Sequence, residues 1–533
     1  MHMDRLSGPT LARIRRSFAW LAPLAPLIAL SATYSCSLLI ENRSQQCESD
    51  TDCGSGFKCD AAQHVCLGGA GGAGGATTTS TTSTSTTTTT GAGGATTTTT
   101  TGAGGTGGNM GDPCDVPENQ KPVVEVTGDI TSDFVLGCEN VYLLKGETLV
   151  TDGATLTIKP GTLIKGFFDA VTPSVLVIQP GGKLIAVGTA DKPIVFTSEL
   201  PQNQRKPGDW GGVILLGKAP VNILDGNMMP TQGKIEGIKS GGLYGGNDPN
   251  DSSGILKYVR IEYSGVLIAP NNEVNGLTLG AVGRGTVIDY VQVRHTADDC
   301  FEFFGGTVNA KHLVCAYNGD DGFDWDNGYQ GKLQFLALQQ DPAVADETNG
   351  FEGDNDANKS LNAPLSEPTI YNATLCGKNA EVNQQQYGLL LRRSTKGHIF
   401  NAIFTGFEAG LDLRDPATSV EIQSSIFFGN LVANQAYAEI PGGAGVFADD
   451  DSGVDEILFL DTPAWKNATI DPGIPGCFDP KMPVFGPATS LTVNAATPPN
   501  DGFFDVTANF IGAFRDVSDT WATTGNWVVW SNQ

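Results

Sequence analysis

The chain has 533 residues, a formal charge of −26 and only 17% charged residues, with 68 glycines and 29 prolines. Such a length supports a sizeable core, and such a charge excludes nucleic acid as a partner, because like charges repel. So much glycine and proline implies many tight turns, as in an all-β chain or one with a low-complexity segment, and both are predicted. Sugars, cations or a cationic partner suit the charge better.

Residues 1–36 read as an export signal: Arg13, Arg15 and Arg16 precede the apolar run FAWLAPLAPLIAL and small residues ending at Cys36. The end, Thr33-Tyr34-Ser35-Cys36, resembles a bacterial lipoprotein cleavage site with Cys36 as the lipidated residue, although Thr33 and Tyr34 depart from the aliphatic and small residues preferred there. Ordinary cleavage with a free Cys36 and a retained membrane helix are the alternatives. The expected location is the outer membrane or cell surface, with contact to the membrane through the lipid anchor alone.

Eleven cysteines leave ten once Cys36 is lipidated, an even number. Cys47, Cys53, Cys59 and Cys66 crowd into residues 37–67, too short for a core, so two disulfides are expected there, with three pairings open. Residues 68–113 are nearly all Gly, Ala, Thr and Ser and read as a disordered linker. Its root-mean-square reach is roughly 35–40 Å for a flexible chain. The threonine runs would carry O-linked sugars or serve as a plain spacer.

From 114 to 440 short alternating apolar runs predict a right-handed parallel β-helix solenoid. Cys114 and Cys138 flank its first segment and would staple an otherwise open edge. Pro160-Gly161 recurs as Pro180-Gly181, at an offset of 20, each pair a tight corner between strands. Residues 223–254 read as a long loop in which Asp248, Asn250 and Ser252 alternate, either as a cation loop or as a solvated turn.

The centre of the chain is 295–340, where one unit occurs twice. Asp298-Asp299 recurs as Asp320-Asp321, Phe301 as Phe323, Phe303 as Trp325 and Leu313 as Phe335, every offset being 22. Glu302 and Asp324 match at the same offset. Stacked coils lie about 4.7–4.9 Å apart, so the acidic turns should form a ladder on one flank. Asp298, Asp299, Glu302, Asp320, Asp321, Asp324 and Asp326 are the candidate ligand-binding residues. Adjacent Asp residues in a strand point to opposite faces, which makes Asp299 and Asp321 better partners for each other than Asp298 and Asp299. A ladder of Asp at a turn also caps backbone amides, so structural turns, cation or glycan binding and catalysis all stand open.

Glu352, Asp354, Asp356, Asn358 and Ser360 alternate as in the first half of a calcium loop, although Lys359 stands where glycine would turn the chain. Asp449, Asp451 and Asp455 form a weaker third cluster. Asn372 and Asn401 hold equivalent places before short apolar runs and would stack with their copies and bond the next coil. Residues 441–533 read as loops and an aromatic cap over the last coil.

The segments PGGKLIAVGTADKPIVFTS, GDWGGVILLGKAPVN, LKYVRIEYSG, LLLRRS and NFIGAFRDVSDTW resemble a family of exported bacterial surface proteins with a right-handed β-helix of the pectate lyase type. That resemblance, over roughly residues 120–533, implies fold and location more than chemistry. Set against pectate lyases, Asp320, Asp321, Asp324 and Asp326 would bind calcium and Arg392 or Arg393 would be the base, with Asp299 and Asp321 the candidates for glycoside hydrolysis. The other signatures of those enzymes are missing from the sequence. The expected function is a surface-anchored β-helix that binds a polysaccharide, a cell-surface glycan or another extended ligand, with or without calcium; a polysaccharide lyase or glycoside hydrolase is the alternative, and a structural coat protein the third reading.

Overall fold

A computed structural model describes residues 57–60, 65–68, 86–90, 96–100, 112–169, 172–269, 272–344, 348–380, 386–415, 418–431, 454 and 456–530, the first four segments by backbone alone. The export signal, Cys36, Cys47, Cys53 and the cluster of Asp449, Asp451 and Asp455 lie outside the described residues.

Short alternating runs form strands with one apolar face, and that face is hidden when successive strands stack. One sheet has nine parallel strands, running from Glu147–Val150 to Ala409–Leu413 and including Leu277–Gly280, Phe301–Phe304, Phe323–Asp326 and Phe351–Gly353. The second sheet holds the longer strands Gly254–Glu262, Val287–Arg294, Asn309–Ala316, Lys332–Gln339, Thr369–Cys376 and Lys396–Thr405, again in parallel. The chain alternates between the sheets, one rung of each per coil, which is a parallel β-helix. Its interior is one apolar column containing Leu277, Phe301, Phe323, Phe351, Val291, Leu313 and Leu336. Phe301 stacks on Phe323 with ring centroids 5.3 Å apart. Such a pair contributes about 0.5–1.5 kcal/mol beyond burial.

The offset of 22 holds in the nine-strand sheet, where Phe301 pairs with Phe323, Glu302 with Asp324 and Phe303 with Trp325. It fails in the second sheet. Leu313 pairs with Leu336, not Phe335, because the turn leading from Asp326 to Lys332 holds one residue more than that from Phe304 to Asn309. Phe335 instead sits beside His312, ring centroids 4.8 Å apart.

Each long strand bends once, at a residue with positive φ: Tyr258 (51°), Tyr290 (56°), His312 (50°), Phe335 (63°), Asn372 (59°) and Asn401 (56°). Non-glycine residues in this region carry strain. Here the bend aims the side chains outward in a column, and ring stacking between Tyr258, Tyr290, His312 and Phe335 at 4.7, 4.1 and 4.8 Å offsets part of that strain.

The C-terminal segment differs from the expected cap. Residues 456–468 do cover the last coil: Leu460 enters the main core, and the Phe427 amide donates to the Ala468 carbonyl. Residues 496–530 instead run lengthwise along the column of corners, as far as the coil of Ala190, whose carbonyl accepts from the Asn526 amide at 2.8 Å. Asn401 exchanges two hydrogen bonds of 2.8 Å with Ala496, Gln334 two with Asp505 and Gln292 two with Val529, while Asn372 Nδ2 donates to the carbonyls of Ala508, Phe510 and Gly512. A side-chain amide offers one donor group and one acceptor, so it pairs with a backbone peptide as a neighbouring strand would. Asn372 and Asn401 are therefore structural, but they bind this strap, and Asn372 Oδ1 also accepts from Gln334 of the neighbouring coil at 3.1 Å.

Three disulfides lie among the described residues: Cys114 with Cys138 as expected, Cys300 with Cys315 inside one coil, and Cys376 with Cys477, which fastens the segment leading into the strap. Phe57–Asp60 and Val65–Gly68 pair as an antiparallel hairpin with Cys59 opposite Cys66 in backbone register. Within the linker, Thr86–Thr90 pairs with Thr96–Thr100, which adds antiparallel to the edge strand Val123–Thr127. β-branched threonine favours extended backbone, so these two runs depart from a featureless spacer; the rest of the linker lies outside the described residues.

Candidate functional site

The turns entering the nine-strand sheet repeat a short signal. Asn275-Gly276-Leu277, Asp299-Cys300-Phe301, Asp321-Gly322-Phe323 and Asn349-Gly350-Phe351 are the same position on four successive coils. Asn275 Oδ1 accepts from the Asp299 amide (3.2 Å), Asp299 Oδ1 from the Asp321 amide (2.7 Å), Asp321 Oδ1 from the Asn349 amide (2.8 Å) and Asn349 Oδ1 from the Tyr387 amide (2.9 Å). All four side chains are buried. One oxygen per coil thus satisfies the amide of the next, which is the capping role, and Asn performs it as well as Asp. Three of these coils have glycine at the second position, and at Gly322 close approach requires it: a Cβ there would lie 2.7 Å from the Gly350 carbonyl oxygen.

Three residues further on, alternation sends Phe301 and Phe303 inward and Glu302 outward, then Phe323 and Trp325 inward and Asp324 outward. The outward row reads Thr278, Glu302, Asp324, Glu352. Carboxylate oxygens of Asp299, Glu302 and Asp324 come within 4.8 Å of one another, and so do those of Asp298, Asp299 and Asp320. Asp298 and Asp299 are thus brought together, against the expectation from strand alternation, because they lie in a bend and not in a strand. Asp326, beyond Asp324 on the same strand, accepts from the Asn327 amide at 2.5 Å.

Burial first, then the carboxylates of Asp298, Asp321, Asp320 and Glu302, pushes the Asp299 carboxyl well above its ordinary 3.8. Burial and Asp324 do the same for Glu302; burial and Glu352 raise both Asp321 and Asp324. Asp324 Oδ1 and the hydroxyl of Thr278, which is 1% exposed, are buried without a hydrogen-bond partner among the described residues. These carboxyls are poised to take either protons or a cation.

The row changes character at the next coil. Arg392 contacts Glu352, its Nε lies 3.1 Å from Asp354 Oδ1, and Arg393 reaches Asp354 Oδ2 at 2.6 Å. Burial alone would lower the Arg392 pKa, but Asp354 and Glu352 hold it above its ordinary value. A guanidinium fixed in this way is no base. The expected calcium loop is not gathered: Glu352 and Asp354 face the arginines, Asp356 accepts from the amides of Asn358 (2.8 Å) and Ser360 (3.1 Å), and Asn358 is exposed. Asp248 likewise accepts from the Asn250 amide at 2.9 Å, as in a plain turn. Sequence reasoning missed Thr278, Asn275 and Asn349; the recurrence of Asn or Asp two places before the first core residue was the signal for the last two.

No curated protein and no solved structure matches the chain. The pectate-lyase-like β-helix domain family matches residues 128–440, more than half of the 533 residues, and spans both the stacked sheets and the acidic row. The chain belongs to that family.

Proposed function

We propose that this protein is an exported β-helix that binds a polysaccharide or cell-surface glycan through calcium on the outer face of the nine-strand sheet. The observation that supports it is the cluster of Asp299, Glu302 and Asp324, three carboxylates within 4.8 Å that make no ion pair with a described residue, beside the unpartnered Thr278 hydroxyl. Calcium takes about 6–8 oxygen ligands. Three carboxylates leave positions that water or sugar hydroxyls would fill, which ties ion binding to ligand binding. Asp298 and Asp320, half-buried at the rim, would face the ligand. The disulfides suit an oxidising compartment, and Cys36 would anchor the mature chain; Cys36→Ala should then move it from the membrane to the soluble fraction.

Glycoside hydrolysis is the second reading, favoured by the raised, partly exposed carboxyl of Asp324, which suits a general acid. One experiment separates the two: glycan-array binding and reducing-end release are measured with calcium and with chelator, for the wild type and for Glu302→Gln with Asp324→Asn. Calcium-dependent binding without release, lost in the double variant, is the expected result. Release would establish the enzyme reading, and binding indifferent to both chelator and substitution would overturn the calcium site.

A further inference from the structure

Where the C-terminal strap crosses the column of corner rings it leaves a cleft of about 350 Å³. This volume falls in the range of small-molecule sites, roughly 300–1,000 Å³. On the coil side its wall is aromatic, with Tyr290, His312 and Phe335 stacked face to face along the corner so that their edges line the cleft; on the strap side Trp521 closes it, ring centroid 5.1 Å from that of His312. Charged heads surround this wall. Asp505 and Asp519 offer acceptors, and Lys311 and Arg515 offer donors.

The Asp289 carboxylate beside the cleft is already taken, accepting from Lys257 at 2.9 Å and from His312 Nδ1 at 2.8 Å. Lys311 makes no ion pair with a described residue; its Nζ lies over the Phe503 ring, 4.8 Å from the centroid. Burial holds this amine below its ordinary value, against the pull of Asp505 and Asp289. Arg515 lies over Phe510, 4.9 Å from the centroid, and is exposed. A half-desolvated, unpaired amine next to an apolar wall of ring edges and carboxylate acceptors matches one ligand chemistry: a ring with apolar faces, several hydroxyls and one anionic group.

We propose that this cleft binds a single sugar ring bearing an anionic substituent, with the anion at Lys311 and Arg515, the hydroxyls at Asp505 and Asp519 and the ring against the aromatic wall. The site lies on a different sheet from the acidic row and involves no calcium. It is independent of the function proposed above.

Calorimetric titration of the full chain with glucose 6-phosphate, glucuronate and glucose, each in chelator, tests it. Both anionic sugars should saturate and bind roughly tenfold tighter than glucose, the order of one charge-assisted contact. Lys311→Met should abolish that preference, and Arg515→Gln, a change at an exposed side chain that leaves folding intact, should reduce it several-fold. Absence of saturable binding by all three sugars, equal affinity for charged and neutral ones, or a preference that survives both substitutions would each overturn the proposal. Preference for only one of the two anions supports the site and identifies carboxylate or phosphate as its group.

Discussion

The turn ladder and the outward row occupy the same coils, only three residues apart, and they treat the same kind of side chain in opposite ways. At the turn, Asn275, Asp299, Asp321 and Asn349 each accept from the backbone amide of the following coil, so an amide or a carboxylate serves equally. In the row, Glu302 and Asp324 crowd other carboxylates, while Glu352 one coil on is met by Arg392. The lesson is that a repeated acidic letter has no single meaning in a solenoid; the partner supplied by the next coil decides whether it is architecture or chemistry.

Removing the partner at the paired end should have the largest effect. Arg392→Met leaves Glu352 buried without its cation and Asp354 with Arg393 alone, a loss of about 3–5 kcal/mol, read as the shift in a denaturant midpoint. A loss under about 1 kcal/mol would mean that the row does not depend on this pairing. Next, Asp321→Ala orphans the buried Asn349 amide and should cost about 1–3 kcal/mol. Asp321→Asn should stay within about 0.5 kcal/mol of wild type, as Asn275 and Asn349 already do the same task. If the Asn variant were as unstable as the Ala variant, the charge at the turn would matter and the contrast with the row would collapse.

The row itself is sharpened by pH. Glu302 and Asp324 stand above their ordinary 4.5 and 3.8 in the folded chain. A carboxyl raised in the folded state stabilises while protonated, so its contribution is full below the unfolded value and is lost as pH rises through the folded one. In chelator, therefore, Glu302→Gln with Asp324→Asn should melt above wild type at pH 8, by about 1 kcal/mol or somewhat more, and match it near pH 4. Calcium should lift the wild type alone at pH 8. Superimposable melting profiles across the pH range would show that these carboxyls repel nothing.

Much of this was legible in the chain. Strict alternation in FEFF and FDWD, repeated at 22, placed Phe301 on Phe323 and Glu302 beside Asp324. The failures have physical causes. Leu313 was matched to Phe335 because one extra turn residue shifts register without altering the acidic motif. Asp354 appeared as a calcium ligand because its arginine partners stand 38 and 39 residues away, beyond any local pattern. Cys376 and Cys477, 101 residues apart, and the aromatic tail were opaque for the same reason: their partners belong to other coils and no spacing announces them.

The strap sets an order of events. Coil upon coil is a contact between residues about 22 apart, which a growing chain makes as it goes. The bond from Asn526 to Asp191 spans 335 residues and must wait for residue 526. Local contacts form fast and distant ones slowly. The β-helix is thus stacked from its beginning and fastened from its end, and a chain cut short before residue 496 would present its column of tyrosine, histidine and phenylalanine rings bare, marked as unfinished by the very surface that the complete protein covers.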